Sequence, residues 1–319
     1  MSMLYTVEDV EAVLAAGLKL NDLPPGVRLT RDAARLMRER GAIDDTVGAR
    51  PSVIDYKFTW EPGSDPQTPA DIQDFFHSAR IEAQKRWMCD IGRRMWEREY
   101  TDGNGGNLTV RVGDSLVLST ATMISKGFME PEDICLVDLQ GNQLAGTRRR
   151  TSECKTHLGI MRHQPLALAC CHGHPAHATA FAVAKVQPPS YLIPEAEVFL
   201  GEIGMCRYAT PGEPEIAELI GQTARQHMSI LMENHGVITW GRNIEDAYWK
   251  LENTDVYCRT VWVSSQLGKP LTPISGPHAR DLLELRRRYG MDDRRFTLRD
   301  DELRDTSNFQ AGFVGTDEA

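Results

Sequence analysis

Three histidines and one glutamate carry the chemistry that this sequence suggests. His172 and His174 are separated by a single glycine, Glu153 lies upstream, and His235 lies downstream. Three imidazoles and one carboxylate are typical of a catalytic divalent-metal site, and neutral imidazole suits zinc at about 2.0–2.1 Å. We therefore predict that His172, His174 and His235 bind Zn²⁺ or another divalent metal, with Glu153 close by.

The elements around these histidines have to bring them together. Side chains two residues apart in a strand point to the same face, so His172 and His174 can share one ion if the apolar run 166–171 is a buried strand. His235 follows a second strand-like run, 229–232, and precedes a glycine, which places it at a sharp turn. Two surface histidines on a strand are the alternative interpretation of the pair alone. The remaining histidines are predicted to be surface, core or helix-start residues: His77, His157, His163, His177, His227 and His278.

Two further segments could hold an anion. Thr151, Ser152 and Glu153 predict the start of a helix, whose free N–H groups and partial positive charge can hold an anion or an ionised Glu153. An ordinary helix cap is the alternative. The glycine-rich turn 102–107 precedes a strand at 108–112, and its backbone N–H groups could receive a phosphate, although a tight hairpin would use the same residues.

Hydrophobic periodicity predicts both helices and strands in the rest of the chain. Helical spacing runs from Thr68 to Tyr100 and predicts one long helix. Strands are predicted at 115–119 and 134–139, and their short connections favour antiparallel pairing. A second long amphipathic helix is predicted at 244–267.

Composition and charge exclude several classes of protein. A net charge of −9 argues against general nucleic-acid binding, and no apolar run approaches the roughly 20 residues of a membrane-spanning helix. The first residues lack the pattern of a signal peptide. Seven cysteines without a CxxC pair favour reduced thiols and a cytoplasmic location.

Breaks in the pattern predict three segments. Residues 1–65 form an N-terminal helical extension that could serve in targeting or docking, ending in a linker rich in proline and glycine. Residues 66–290 form the catalytic domain. Residues 291–319 form an acidic C-terminal tail.

Several motifs occur together in an order and spacing that resemble the class II aldolase/adducin family over roughly residues 72–268. They are Gly106-Asn107, Thr151-Ser152-Glu153, His172-x-His174-Pro175 and Asn234-His235-Gly236. The resemblance implies a three-layer α/β/α fold with a largely antiparallel central sheet. It also implies a homotetramer with active sites between subunits.

The resemblance to the fuculose-phosphate and rhamnulose-phosphate aldolases implies a role for each site residue. The three histidines would bind zinc, Glu153 would be the catalytic base, and Asn107, Thr151 and Ser152 would hold the substrate phosphate. The implied activity is zinc-dependent retro-aldol cleavage of a deoxyketose 1-phosphate to dihydroxyacetone phosphate and an aldehyde such as lactaldehyde. A small phosphorylated sugar is thus the expected substrate.

The sequence also departs from the family pattern. The family's Thr-Pro-x-Gly loop appears as Thr120-Ala121-Thr122-Met123, and its tyrosine acid is missing from the corresponding stretch, residues 195–199. Within the family, a metal-dependent decarboxylase and a pentulose-phosphate 4-epimerase use the same metal site, and an adducin-like binding module is a non-catalytic alternative. Residues 1–65 resemble extensions that target enzymes to bacterial microcompartments, so a shell protein or partner enzyme is an expected partner.

Overall fold

The structure is a computed structural model in which the chain divides into two compact units, residues 1–56 and residues 57–319. It describes residues 4–19, 23, 28–30, 32–33, 36–37, 40, 42 and 58–310. The predicted N-terminal extension, residues 1–65, includes the whole of the first unit, and part of it lies outside the described residues.

The first unit contains a short parallel strand pair and a capped helix. β1 (Leu4–Tyr5) pairs with β2 (Arg28–Leu29), and α1 spans Val7–Ala15. The backbone N–H of Thr6 donates to Asp9 Oδ2 at 2.8 Å, which completes a capping box at the start of α1. Among the described residues of this unit, the buried side chains of Val10, Ala33, Met37 and Ala42 form a small apolar core.

The second unit alternates helices with strands. Its helices are α2 (Pro69–Phe76), α3 (Ala79–Glu97), α4 (Cys154–His163), α5 (Ala176–Ala184), α6 (Pro194–Phe199), α7 (Pro214–Ala224), α8 (Ile244–Ser265) and α9 (Gly276–Arg288). Its strands are β3 (Asn107–Arg111), β4 (Leu116–Thr120), β5 (Ile134–Asp138), β6 (Gln143–Ala145), β7 (Ala169–Gly173), β8 (Gly204–Cys206), β9 (Ser229–Met232) and β10 (Gly236–Gly241). Short 3₁₀ turns lie at Lys126–Phe128, Pro131–Asp133, Arg294–Thr297 and Asp300–Glu302.

One eight-stranded sheet forms the centre of this unit. The strand order is β6-β5-β4-β3-β7-β10-β9-β8, and every neighbouring pair is antiparallel except β8 with β9. The predicted, largely antiparallel central sheet is confirmed. β7 lies in the middle of the sheet between β3 and β10, two strands that are far apart in the sequence.

Helices cover both faces of the sheet and give the predicted three layers. Because side chains alternate along a strand, Cys171 joins the core beneath α3 and α8, whereas Cys170 joins the core beneath α4 and α7. The first core includes Met88 and Leu251, and the second includes Leu158. The second unit therefore has the expected α/β/α architecture.

The single long helix predicted from Thr68 to Tyr100 is wrong. The first helix ends at Phe76, with His77 as its C-cap. Ser78 then starts a new helix, because its hydroxyl accepts a hydrogen bond from the Ile81 N–H at 3.4 Å. Hydrophobic spacing continues through the break because both helices pack against the same core, and so the spacing alone did not reveal it.

Residues 291–310 of the predicted acidic tail pack against the preceding part of the second unit. Arg295 and Leu303 are buried, and Asp305 accepts a hydrogen bond from the Ser190 N–H at 2.9 Å. The rest of the predicted tail lies outside the described residues. Among the described helices, none is long and apolar enough to cross a membrane.

Candidate active site

The central strand β7 and its neighbours bring the predicted site residues together. His172 lies in β7 opposite Asn107 of β3 and Ile238 of β10, and His174 follows directly after the strand. His235 lies in the turn between β9 and β10. One nitrogen from each of the three histidines lies within 4.8 Å of the others, so the triad could hold a metal ion.

Two of the histidines have their Nδ1 atoms occupied by acceptors. His172 Nδ1 lies 2.8 Å from the carbonyl oxygen of Val237, and His174 Nδ1 lies 2.8 Å from Asp102 Oδ1. Because each of these contacts requires a proton on Nδ1, the neutral rings have bare Nε2 atoms. Burial lowers the pKa of His172 to about 3, which keeps that ring neutral.

The donor set fits a tetrahedral metal ion. The two Nε2 atoms of His172 and His174 lie 3.2 Å apart. Two ligands at about 2.0–2.1 Å from zinc subtend roughly 3.4 Å at a tetrahedral angle. Two bare nitrogens facing each other have no proton to share, so the pair is suited to hold a cation between them.

Glu153 lies at the same point, at the N-terminus of α4. Its carboxylate oxygens lie 3.4 Å from His172 Nε2 and 3.4 Å from His235 Nε2. Burial alone would raise the pKa of Glu153, but the His172 and His235 imidazoles, whenever they carry a proton, and the amide donor of Asn107 favour the carboxylate and hold this pKa well below its usual range. Glu153 is thus an ionised carboxylate beside the triad.

The three residues predicted to hold phosphate differ in their surroundings. Asn107 Nδ2 donates to Glu153 Oε2 at 2.8 Å, while its buried Oδ1 has no hydrogen-bond partner. Thr151 is buried, and its hydroxyl accepts a hydrogen bond from the Glu153 N–H at 3.4 Å. Ser152 is exposed at the helix start. Phosphate binding by these residues stays a prediction.

Two residues that lie close to the site, Asp102 and His157, were not identified from the sequence. Asp102 contacts His174, and its position at the start of a glycine-rich turn was the only signal. His157 lies one helical turn after Glu153 and is fully buried, with its Nδ1 2.9 Å from the Thr109 hydroxyl. The spacing of four residues from Glu153 could have revealed it, because residues i and i+4 share a helix face.

The other described histidines make contacts outside the triad. His77 contacts Glu82, His163 contacts Glu218, His177 contacts Asp255, His227 contacts the Glu202 carbonyl, and His278 contacts Asp281.

Known proteins are similar to this chain over the part that carries the site. Residues 86–262 match the sequence profile of the Class II Aldolase and Adducin N-terminal domain. An L-fuculose phosphate aldolase of Methanococcus maripaludis is 34% identical over 177 residues, which are 56% of this chain and 95% of that protein. A 3-oxo-tetronate 4-phosphate decarboxylase of Haemophilus influenzae is 34% identical over 169 residues, which are 52% of this chain and 80% of that protein.

Solved structures share the fold. An L-fuculose 1-phosphate aldolase superimposes with a TM-score of 0.59 at 22% identity, covering 66% of this chain and 97% of that one. YgbL from Klebsiella pneumoniae superimposes with a TM-score of 0.59 at 22% identity, covering 63% of this chain and 98% of that one.

Proposed function

The chain belongs to the class II aldolase and adducin family, and from this premise we propose that it catalyses a metal-dependent retro-aldol cleavage. The substrate is a ketose 1-phosphate, and the products are dihydroxyacetone phosphate and an aldehyde such as lactaldehyde. The observation that carries this proposal is the convergence of His172, His174, His235 and Glu153 on one point.

The protein's own residues supply two functions in this reaction. His172, His174 and His235 would hold the divalent cation, which when bound acts as a Lewis acid toward the oxygens of the substrate. Glu153 would handle the proton. As the C3–C4 bond breaks, its electron pair stays on C3, the C4 hydroxyl loses a proton to form the aldehyde, and C3 gains a proton. In this proposal Glu153 exchanges the proton at C3.

Asn107 would keep Glu153 in place during this exchange. Its amide already donates to one carboxylate oxygen, and its unpartnered Oδ1 offers an acceptor to a bound hydroxyl group. Exposed Ser152, at the positively polarised start of α4, would receive the substrate phosphate.

A decarboxylase is the second candidate. The decarboxylase relative has the same 34% identity as the aldolase relative. The missing Thr-Pro-x-Gly loop and the missing tyrosine acid also weaken the assignment to a fuculose-type substrate. A non-catalytic module is disfavoured, because it has no use for the triad and a poised carboxylate.

The experiment that separates these functions measures two products. The zinc-loaded protein is incubated with L-fuculose 1-phosphate, L-rhamnulose 1-phosphate and 3-oxo-tetronate 4-phosphate, each with and without a chelator. Chelator-sensitive release of dihydroxyacetone phosphate from either ketose supports the aldolase. Carbon dioxide from the third substrate alone moves the assignment to the decarboxylase, and no product from any of them argues against both.

We also propose that the chain assembles as a homo-oligomer, with a tetramer as the expected form. Exposed Trp249, Val256 and Val263 repeat every seven residues on α8 and so share one helix face. Light scattering of the purified protein measures the assembly, and a monomer at micromolar concentration would argue against it.

The N-terminal unit is proposed to dock on a microcompartment shell or a partner enzyme. It has its own small core, apart from the catalytic unit's cores. Deletion of residues 1–56 should leave catalysis intact and abolish recruitment to the shell; an inactive truncation would instead favour a purely structural role.

A further inference from the structure

A carboxylate outside the predicted site contacts one of the three histidines. Asp102 lies in the turn that precedes β3, and its Oδ1 lies 2.8 Å from His174 Nδ1. The side chain of Asp102 is 78% exposed, whereas that of His174 is 23% exposed. Asp102 therefore contacts the back of the imidazole, opposite the Nε2 that faces His172.

Gly105 leaves the space for this contact. Its N–H donates to the Asp102 carbonyl at 2.7 Å, which closes a tight turn. A Cβ atom at position 105 would lie 2.2 Å from Asp102 Oδ1 and 3.2 Å from His174 Cε1. Any larger residue would have to displace the carboxylate from the ring, so the turn is shaped around the Asp102–His174 hydrogen bond.

Lys126 anchors the same turn from the other side. Its side chain is 1% exposed, and its Nζ donates to the carbonyl oxygens of Asn104 at 3.0 Å and Ile124 at 2.5 Å. A buried ammonium group held by two carbonyls restrains the chain between Asp102 and Gly105. The carboxylate is thus presented from a fixed backbone rather than from a free loop.

We propose that Asp102 is a positioning residue that fixes the tautomer and orientation of His174. Free neutral imidazole exchanges its proton between two nitrogens, and only the Nδ1–H form leaves Nε2 bare. By accepting the Nδ1–H hydrogen bond, Asp102 selects the form in which Nε2 can bind a metal ion. This inference rests on the proposed function, because the metal-binding role of His174 belongs to it.

The first test uses the metal-free protein and does not depend on activity. The protein is labelled with ¹⁵N-histidine, and the His174 ring is identified by the signals lost in H174A. At pH 8 we expect protonated Nδ1 and bare Nε2 in wild type and in D102N, whose amide oxygen still accepts. In D102A both tautomers should be populated. Protonated Nε2 in wild type, or an unchanged D102A spectrum, overturns the proposal.

The second test measures zinc affinity against a competing chelator. Loss of a carboxylate partner behind a metal-binding histidine typically weakens metal binding about 10–100-fold, which is the effect expected for D102A. D102N should recover most of the affinity. The matched control is D281A, because Asp281 is 80% exposed and lies 3.6 Å from His278, outside the triad. D281A should bind zinc like wild type.

The two tests separate failure of the inference from failure of the proposed function. D102A with wild-type zinc affinity overturns the positioning role while the metal site stands. Wild-type protein that binds no zinc overturns the proposed metal site, and the tautomer measurement then decides the contact between Asp102 and His174 by itself.

Discussion

At the level of single residues, the charge of the site depends on how Glu153 and the imidazoles share protons. Burial favours the neutral form of both kinds of group, and it lowers the pKa of His172 to about 3. Glu153 remains a carboxylate because any proton on the two adjoining imidazoles favours its negative charge and because Asn107 donates to it. The site therefore offers bare nitrogens and one negative charge, the combination that a divalent cation binds.

The role of Glu153 as the base is tested by Glu153→Gln. The amide keeps the shape of the side chain and can still accept from Asn107, so fold and bound metal should be retained. Turnover should fall about 10²–10⁴-fold, the usual contribution of a general base. The matched control is Glu218→Gln, because Glu218 also adjoins a histidine but lies outside the site. An E153Q variant with wild-type kcat would exclude Glu153 as the base.

Buried His157 should make the stability of the fold depend on pH. Burial lowers its pKa to about 4, below the value of 6.5 expected for an exposed ring, although Glu153 opposes the shift. Between pH 6.5 and 4 the unfolded chain therefore binds a proton that the folded chain does not, and the free energy of unfolding falls as the pH falls.

This pH dependence is tested by His157→Asn, whose amide can keep the hydrogen bond to Thr109. Denaturant unfolding of the metal-free proteins is compared at pH 7.5 and 4.5. Between these values, wild type should lose about 2 kcal/mol more stability than H157N. Equal losses would show that His157 is not held neutral in the fold.

The sequence was sufficient to predict the triad but not the residues behind it. His172 and His174 are adjacent in the pattern, and His235 follows a strand-like run, so alternation and turn chemistry reveal them. His157 shares a helix face with Glu153, and that spacing of four residues was present in the sequence, whereas Asp102 contacts His174 across the fold. Such contacts depend on which strands become neighbours, and a single local pattern does not contain that information.

At the level of elements, the order of strands builds the site. β7 pairs with β3 on one side and β10 on the other, which sets Asn107 opposite His172 and brings the turn with His235 alongside. Strands β3, β4, β5, β7 and β9 were predicted from their apolar patterns, and the antiparallel pairing of β4 with β5 from a short connection. The edge strands β6 and β8 were not predicted. The insertion of β7 between strands about 60 residues away in each direction could not be predicted, because long-range pairing depends on the whole core.

The turn 102–106 should depend on its lysine anchor. Lys126→Met keeps the length of the side chain but removes both donors, leaving the Asn104 carbonyl without this partner. A hydrogen bond contributes about 1–1.5 kcal/mol, so its loss should raise the hydrogen-exchange rate of the Gly105 amide roughly tenfold. Lys250→Met is the matched control, because Lys250 is also buried but pairs with Asp246 within α8. Unchanged exchange in K126M would show that the turn is held by other contacts.

At the level of the whole molecule, the segment after α9 is part of the catalytic unit's structure. Arg295 and Glu197 of α6 are both buried, and Arg295 Nη1 lies 2.7 Å from Glu197 Oε2. Asp293 contacts both Arg295 and Arg286. The acidic composition of this region favoured a tail. Composition cannot show that two arginines and two carboxylates neutralise one another in the interior, since each of them alone is typical of a surface.

The buried pair between this segment and α6 is tested by Glu197→Gln. Removing one partner of a buried ion pair leaves the other charge poorly compensated, which typically costs about 3–5 kcal/mol of stability. We expect a loss of about 3 kcal/mol, the lower end of this range, because Asp293 still contacts Arg295. Thermal unfolding should show a clearly lower Tm. Glu215→Gln is the matched control, because Glu215 and its partner Arg207 are 58% and 62% exposed and a surface pair contributes about 1 kcal/mol or less. Equal Tm values for E197Q and wild type would show that the segment does not stabilise the unit.

The most direct test of the proposed metal-dependent cleavage is a zinc titration of chelator-treated protein, in which the release of dihydroxyacetone phosphate from the ketose 1-phosphate is measured. We predict no release from the metal-free protein, and full recovery at one zinc ion per chain in wild type but not in His172→Ala. Undiminished release from protein shown to contain no metal would contradict the assignment of the three histidines to a catalytic ion.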